Sequence, residues 1–188
     1  MRKIIYALSV SLDGYIEDAD GRLDWSVPSE ELHQHFNDQY LTGEIDTSIY
    51  GRRLYENMAA YWPTAADNPD TESVELEFAR LWMTLPKIVF STSLESVDFN
   101  STLKREVIRE EILDLKALSG GDMDIGGADL AATFLRMGLV DEVRLYVHPV
   151  VLGGGKPMFP PDLRLGFEFV DSRTFEGGVV MLRYVVSG

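Results

Sequence analysis

Two short stretches of this 188-residue chain do most to limit what it can fold into. From Thr47 to Tyr50 a β-prone run ends in Gly51-Arg52-Arg53, after which Leu54 and Met58 fall on one helical side. From Met123 to Ile125 a short apolar run ends in Gly126-Gly127, and Leu130, Phe134 and Met137 then form a helical face closed by Gly138. Each reads as strand, glycine turn and helix, the repeating unit of an α/β domain with a mostly parallel sheet. Elsewhere, Lys3 to Ser11 is rich in apolar residues with little alternation, as in a strand buried on both faces, and Asp13-Gly14 ends it. Ser29 caps a helix carrying Leu32, Phe36 and Tyr40, with Gly43 as its stop. Val74, Phe78, Leu81 and Leu85 follow helical spacing up to Pro86, and Lys87 to Phe90 is the next strand. Thr102 to Val107 reads as an edge strand before a helix through Ile112 and Leu115 that ends at Gly120. Val143 to Leu152 is β-rich, and Phe167 to Phe175 and Val179 to Val186 flank Gly177-Gly178 as an antiparallel hairpin.

The length fits one domain, residues 1–188, and 45% hydrophobic against 26% charged residues is the composition of a globular core. A formal net charge of -14 repels nucleic acid and anionic membrane surfaces. It does not exclude a small phosphorylated ligand, because an arginine pair and a helix N-terminus prevail at contact range. There is no cysteine, which removes disulfides, thiolate nucleophiles and cysteine-ligated metals together. No run approaches the roughly 18 apolar residues of a membrane span, so the expectation is a cytoplasmic protein.

Neither the Rossmann G-x-G-x-x-G nor the P-loop pattern is present. Three predicted strand ends carry groups suited to a phosphorylated cofactor: Gly126-Gly127, Gly51-Arg52-Arg53 and Ser91-Thr92-Ser93. Taken singly, each also fits a tight turn, solvated arginines or a cap. His33 and His35 lie two apart on a helix and cannot form an i, i+4 metal pair, so no metal site is expected. The absence of G-x-S-x-G leaves Ser-His-Asp catalysis without support. The remaining acids are Asp13 at the end of the first strand and Asp24, Glu30 and Glu31 around the first helix, any of which can be solvated or can bond a heterocycle's N–H groups.

The order of Ser11-Leu12-Asp13-Gly14-Tyr15-Ile16, Trp25-x-x-Pro28, Tyr50-Gly51-Arg52-Arg53-Leu54-Tyr55-Glu56, Val89-Phe90-Ser91-Thr92, Ile125-Gly126-Gly127-Ala128, Leu139-Val140-Asp141-Glu142 and Pro149-Val150-Val151-Leu152-Gly153-Gly154-Gly155 resembles the dihydrofolate-reductase-like superfamily. Specifically, it is similar to stand-alone members of the C-terminal reductase domain family of bifunctional deaminase-reductases, over nearly the whole chain. The resemblance implies a three-layer fold with a C-terminal antiparallel hairpin. It also implies NADPH as cofactor, held by Gly51, Arg52 and Arg53, by Ser91 and Thr92 near the 2'-phosphate, and by Gly126, Gly127 and Ala128 at the diphosphate. A cis peptide is implied between Gly126 and Gly127. Ser9 and Ile16 are implied near the nicotinamide, and Asp13, Trp25 and Glu30 beside the substrate, with Glu30 and Asp13 as the catalytic acids.

The implied activity is hydride transfer to a small heterocyclic or carbonyl substrate, as in the 5-amino-6-(5-phosphoribosylamino)uracil reductase of riboflavin synthesis. The D-x-P-x-L-x-x-R-like segment that holds the ribose phosphate in such enzymes is not found after Gly51. Deamination is excluded, because H-x-E and P-C-x-x-C are both missing. Dihydrofolate reduction and an NADP(H)-binding sensor without turnover are the alternatives, and the resemblance further implies a homodimer.

Overall fold

The computed structural model describes residues 1–187. Its centre is an eight-stranded sheet built from β1 (Ile4–Ser11), β3 (Ile45–Gly51), β4 (Lys87–Phe90), β5 (Ser101–Lys104), β6 (Asp122–Gly126), β7 (Glu142–His148), β9 (Gly166–Thr174) and β10 (Val180–Ser187). Their order is β5-β4-β3-β6-β1-β7-β10-β9. The first six run parallel, and the C-terminal hairpin adds β10 and β9 antiparallel beside β7. A two-stranded ribbon of β2 (Tyr15–Glu17) and β8 (Lys156–Pro157) lies outside this sheet.

Five helices complete the layers: α1 (Glu30–Leu41), α2 (Arg52–Tyr61), α3 (Ser73–Thr84), α4 (Arg109–Ala117) and α5 (Ala128–Arg136). Connections from β1, β3 and β4 step outward to one edge, whereas those after β5 and β6 step back. Right-handed crossovers therefore send α1, α2 and α3 to one face of the sheet and α4 and α5 to the other. The side chains sort accordingly. Ile4, Tyr6, Ile49, Met123 and Ile125 pack with Phe134 and Leu135 in one core. Leu32 and Tyr146, and separately Tyr50, Tyr55, Phe78 and Trp82, pack on the opposite face.

Ile4, Ile5 and Tyr6 are fully buried, as expected of a strand covered on both faces, whereas Ala7, Leu8 and Ser9 are only half-buried. That loosening on β1 marks the floor of a cavity that opens to solvent. Trp62–Asp67, between α2 and α3, forms a 3-10 turn with Pro63 near its start. No helix among the described residues is long and apolar enough to cross a membrane.

Candidate functional site

The carboxyl ends of β4, β3 and β6 are neighbours in the sheet, with Gly51 opposite Phe90 and Tyr50 opposite Gly126. At two of these ends the chain turns into a helix through a glycine. Gly51 and Gly127 are the N-cap residues of α2 and α5, and neither offers a side chain to accept from first-turn N–H groups. Two adjacent sets of helix-end donors are thus open to an anion, the arrangement a diphosphate requires. Gly127 adopts φ 90°, a left-handed value costly for any other residue. This φ makes the turn with a trans peptide: no cis bond occurs among the described residues, contrary to the implied Gly126-Gly127 geometry.

Arg52 and Arg53 are exposed at the start of α2, where Arg52 pairs with Glu56 at 2.9 Å and Arg53 with Glu17 at 3.2 Å. Ser91 is buried, and its Oγ accepts from the backbone N–H groups of Ser93 and Leu94 at 3.2 and 3.0 Å. Its hydroxyl therefore shapes the turn, which leaves Thr92 exposed at the surface. Arg105, which sequence reasoning passed over, reaches back from beyond β5 to donate to the carbonyls of Ser91 and Leu94 at 3.1 and 2.5 Å. It sets a third guanidinium beside this strand end.

Beneath α1, on the sheet face shared with α3, lies a cavity of about 960 Å³. Ala7 and Ser9 of β1, Asp124 of β6 and Tyr146 of β7 form its sheet side, while His33, Phe36, Gln39 and Tyr40 come from α1. Met58, Tyr61, Trp62, Phe78, Asp70, Glu72 and Glu75 form the wall contributed by the α2 to α3 region. Trp62 and Phe78 meet edge to face with centroids 4.6 Å apart, and His33 lies 5.9 Å from Phe78. Burial draws the His33 pKa below its ordinary value, against the opposing charges of Glu75, Glu72 and Glu77.

Asp124 is the carboxylate at the sheet side. Ser48 Oγ donates to its Oδ1 at 2.6 Å, and the Tyr40 hydroxyl approaches Oδ2 at 3.4 Å. Burial raises its pKa to about 6, with the Ser48 hydrogen bond pulling the other way. The Tyr40 hydroxyl is pushed well above its usual value, by burial first and then by the Asp124 charge. Sequence reading missed Asp124, although an Asp between Met123 and Ile125 in an interior strand is itself a signal, because a charge there must face a polar space.

Of the residues assigned to substrate and nicotinamide, only Ser9 lines the cavity. Its hydroxyl is 3.1 Å from His148 Nε2. Trp25 stands just behind, its ring edge-on to His148 at 5.6 Å and its buried Nε1 without a hydrogen-bond partner. Ile16 is packed into the core on the α4 and α5 side. Glu30 is exposed in the first turn of α1, and the cavity position one turn later belongs to His33.

Asp13 does not line the cavity either. It accepts from Ser11 Oγ at 2.7 Å, from the Leu152 N–H at 3.1 Å and from the Gly153 N–H at 2.7 Å, so its acceptors are already engaged in holding the glycine-rich loop. These bonds, the Ser11 one foremost, also lower its pKa.

The comparisons agree with this architecture. The chain is 40% identical over 189 residues to the uncharacterized protein YyaP of Bacillus subtilis (strain 168), with 100% of this chain and 96% of that protein covered. The crystal structure of a putative riboflavin biosynthesis protein from Shewanella sp. PV-4 superposes with a TM-score of 0.73 at 24% identity, over 99% of each chain. Dihydrofolate reductase from Enterococcus faecalis, complexed with NADP(H), gives 0.64 at 15% identity over 99% of this chain and 97% of that one. The model of the RibD C-terminal domain matches residues 2–181, from the first strand into the last. With the parallel sheet, the hairpin and the glycine-opened helices all inside that span, the chain belongs to the RibD C-terminal domain family.

Proposed function

We propose that this protein is an NADPH-dependent reductase that reduces an electrophilic C=N or C=O carbon of a small substrate. The carrying observation is the pair of uncapped, glycine-led helix ends that follow the adjacent strands β3 and β6, the same two strands that give Ile45 and Asp124 to the cavity. The chemistry of that donor set fits a dinucleotide: backbone N–H groups for a diphosphate and guanidinium groups for a further phosphate. Gly51, Gly126, Gly127 and Ala128 would hold the diphosphate, and Arg52, Arg53 and Thr92 the 2'-phosphate, with Ser9 toward the nicotinamide. When bound, NADPH supplies the hydride. The protein's own part is to hold the substrate at the sheet face, against the apolar wall of Phe36, Trp62 and Phe78.

The test is calorimetric titration with NADPH and NADH at one ionic strength, followed by substrate-dependent loss of NADPH absorbance. NADPH-selective binding with turnover supports the reading. Binding without turnover of any heterocycle or carbonyl compound would leave a sensor, and no binding would reduce the glycine turns to structure.

A further inference from the structure

The cavity carries an electrostatic signature that narrows its ligand. Four carboxylates line it, Asp70, Glu72, Glu75 and Asp124, and among the described residues no lysine or arginine does. Arg144, whose charge is felt at Asp124, is held by Glu142 at 2.8 Å, by Glu44 at 2.6 Å and by Gln39 at 2.5 Å, so it is neutralised from within the protein. His33 is the one imidazole in the wall, and its pKa is lowered, so it brings no positive charge at neutral pH.

A phosphate monoester carries about -1.5 to -2 charges at pH 7 and needs cationic or N–H partners. This cavity offers it carboxylates. Conversely, Asp124 has acceptor capacity to spare: a carboxylate has about four lone-pair sites, and only Ser48 donates to it at short range. A buried charge left so little compensated favours a ligand that donates N–H groups to it.

We infer that the reduced substrate is a planar, uncharged or cationic heterocycle that presents N–H donors to Asp124 and bears no phosphate, in contrast to a phosphoribosyl pyrimidine. The inference rests on the reductase reading for the word "reduced", but the ligand class follows from the cavity itself. Phe36, Trp62 and Phe78 supply an aromatic wall against which a flat ring packs. Asp124 is the specificity-determining residue, and Glu72 and Glu75 reject anions at the α3 side.

The experiment is equilibrium binding of 5-amino-6-(ribosylamino)uracil and of its 5'-phosphate to the full chain, with and without NADP+. Quenching of tryptophan fluorescence reports binding, since Trp62 lies in the wall. The nucleoside is expected to bind at least tenfold more tightly than the phosphate. Glu72→Gln combined with Glu75→Gln should shrink that ratio at least threefold. Asp124→Asn should weaken the nucleoside at least tenfold and leave the Kd for NADPH within twofold. Equal or tighter binding of the phosphate, no binding of either compound, or an Asp124→Asn protein that binds the nucleoside like the parent would each overturn the inference. The reductase reading fails separately: the expected preference together with no NADPH binding keeps the ligand class and removes the reaction. NADPH turnover with the phosphate preferred does the reverse.

Discussion

Ser48 and Asp124 stand directly opposite each other on the parallel strands β3 and β6, and the Ser48 hydroxyl donates to the Asp124 carboxylate at 2.6 Å. That single short bond does not offset burial, which lifts the Asp124 pKa to about 6 from an ordinary 3.8. The folded chain therefore holds this proton more tightly than the unfolded chain, and stability falls as pH rises between those values and levels off above about 6. Asp124→Asn removes the penalty. The variant should be more stable than the parent by about 1–3 kcal/mol at pH 7, a gain that fades towards pH 4. Thermal unfolding at both pH values checks this, and a variant less stable at pH 7 would contradict it.

Glu142 on β7 shows the opposite balance. It is fully buried and takes Arg144 Nε at 2.8 Å, Arg183 Nε at 2.7 Å and Lys3 Nζ at 3.2 Å. Burial alone would raise its pKa, but the hydrogen bonds from Arg183 and Arg144 prevail and hold it down at about 2. Its contribution is complete above about pH 4.5 and is lost as pH falls towards 2. Glu142→Gln leaves Arg144 buried without this counter-charge, and the expected loss is about 3–5 kcal/mol at pH 7. Urea unfolding at pH 7 and pH 3 should show the gap between variant and parent narrowing at the lower value.

Arg53 has two competing partners. Its present one is Glu17 of β2 at 3.2 Å, and under the proposed function the other is a cofactor phosphate. Arg53→Ala should weaken NADPH about ten- to a hundredfold, the scale of one charge-assisted contact of about 1.5–3 kcal/mol, and NADH much less. Glu17→Gln frees the guanidinium and should tighten NADPH a few-fold. Calorimetry on both variants decides, and equal losses for the two cofactors would remove Arg53 from the 2'-phosphate.

Gly155 is the least replaceable glycine of the loop after β7. Its φ is 133°, and an added Cβ would stand 2.0 Å from the Glu17 carbonyl oxygen, a backbone atom that cannot rotate away. Gly155→Ala is expected to cost about 2–4 kcal/mol from strain and overpacking and to part β2 from β8. Gly154→Ala meets nothing within 4 Å and serves as the control. Chemical denaturation of both proteins separates the two outcomes.

The alternation of apolar runs and glycine turns was enough to reveal the parallel sheet, its hairpin and the two helix-opening glycines, because those features depend on neighbours in the chain. The stretch after Asn100 likewise forms an edge strand and then a helix, although β5 ends at Lys104, short of Val107. What pattern could not show is which side of a turn a group faces. The resemblance implies Glu30 beside the substrate, yet α1 begins at that residue and the cavity takes His33 one turn later. Asp13 looks free at a strand end, but its partners Leu152 and Gly153 lie 139 and 140 residues away in the sequence. Asp124 and Ser48, 76 residues apart, meet only through strand order.

The central place of β1 has a consequence for biosynthesis. Its two neighbours are β6 and β7, and Ile5 pairs with Glu142 while Ser11 pairs with His148. The first strand of this sheet to be synthesised thus waits for residues near 142–148 before both of its edges are hydrogen-bonded, and such distant pairings make for slow folding. A nascent chain halted before residue 142 holds β1 with an open edge and Asp13 with no loop to clasp, the kind of unpaired strand that other chains recruit.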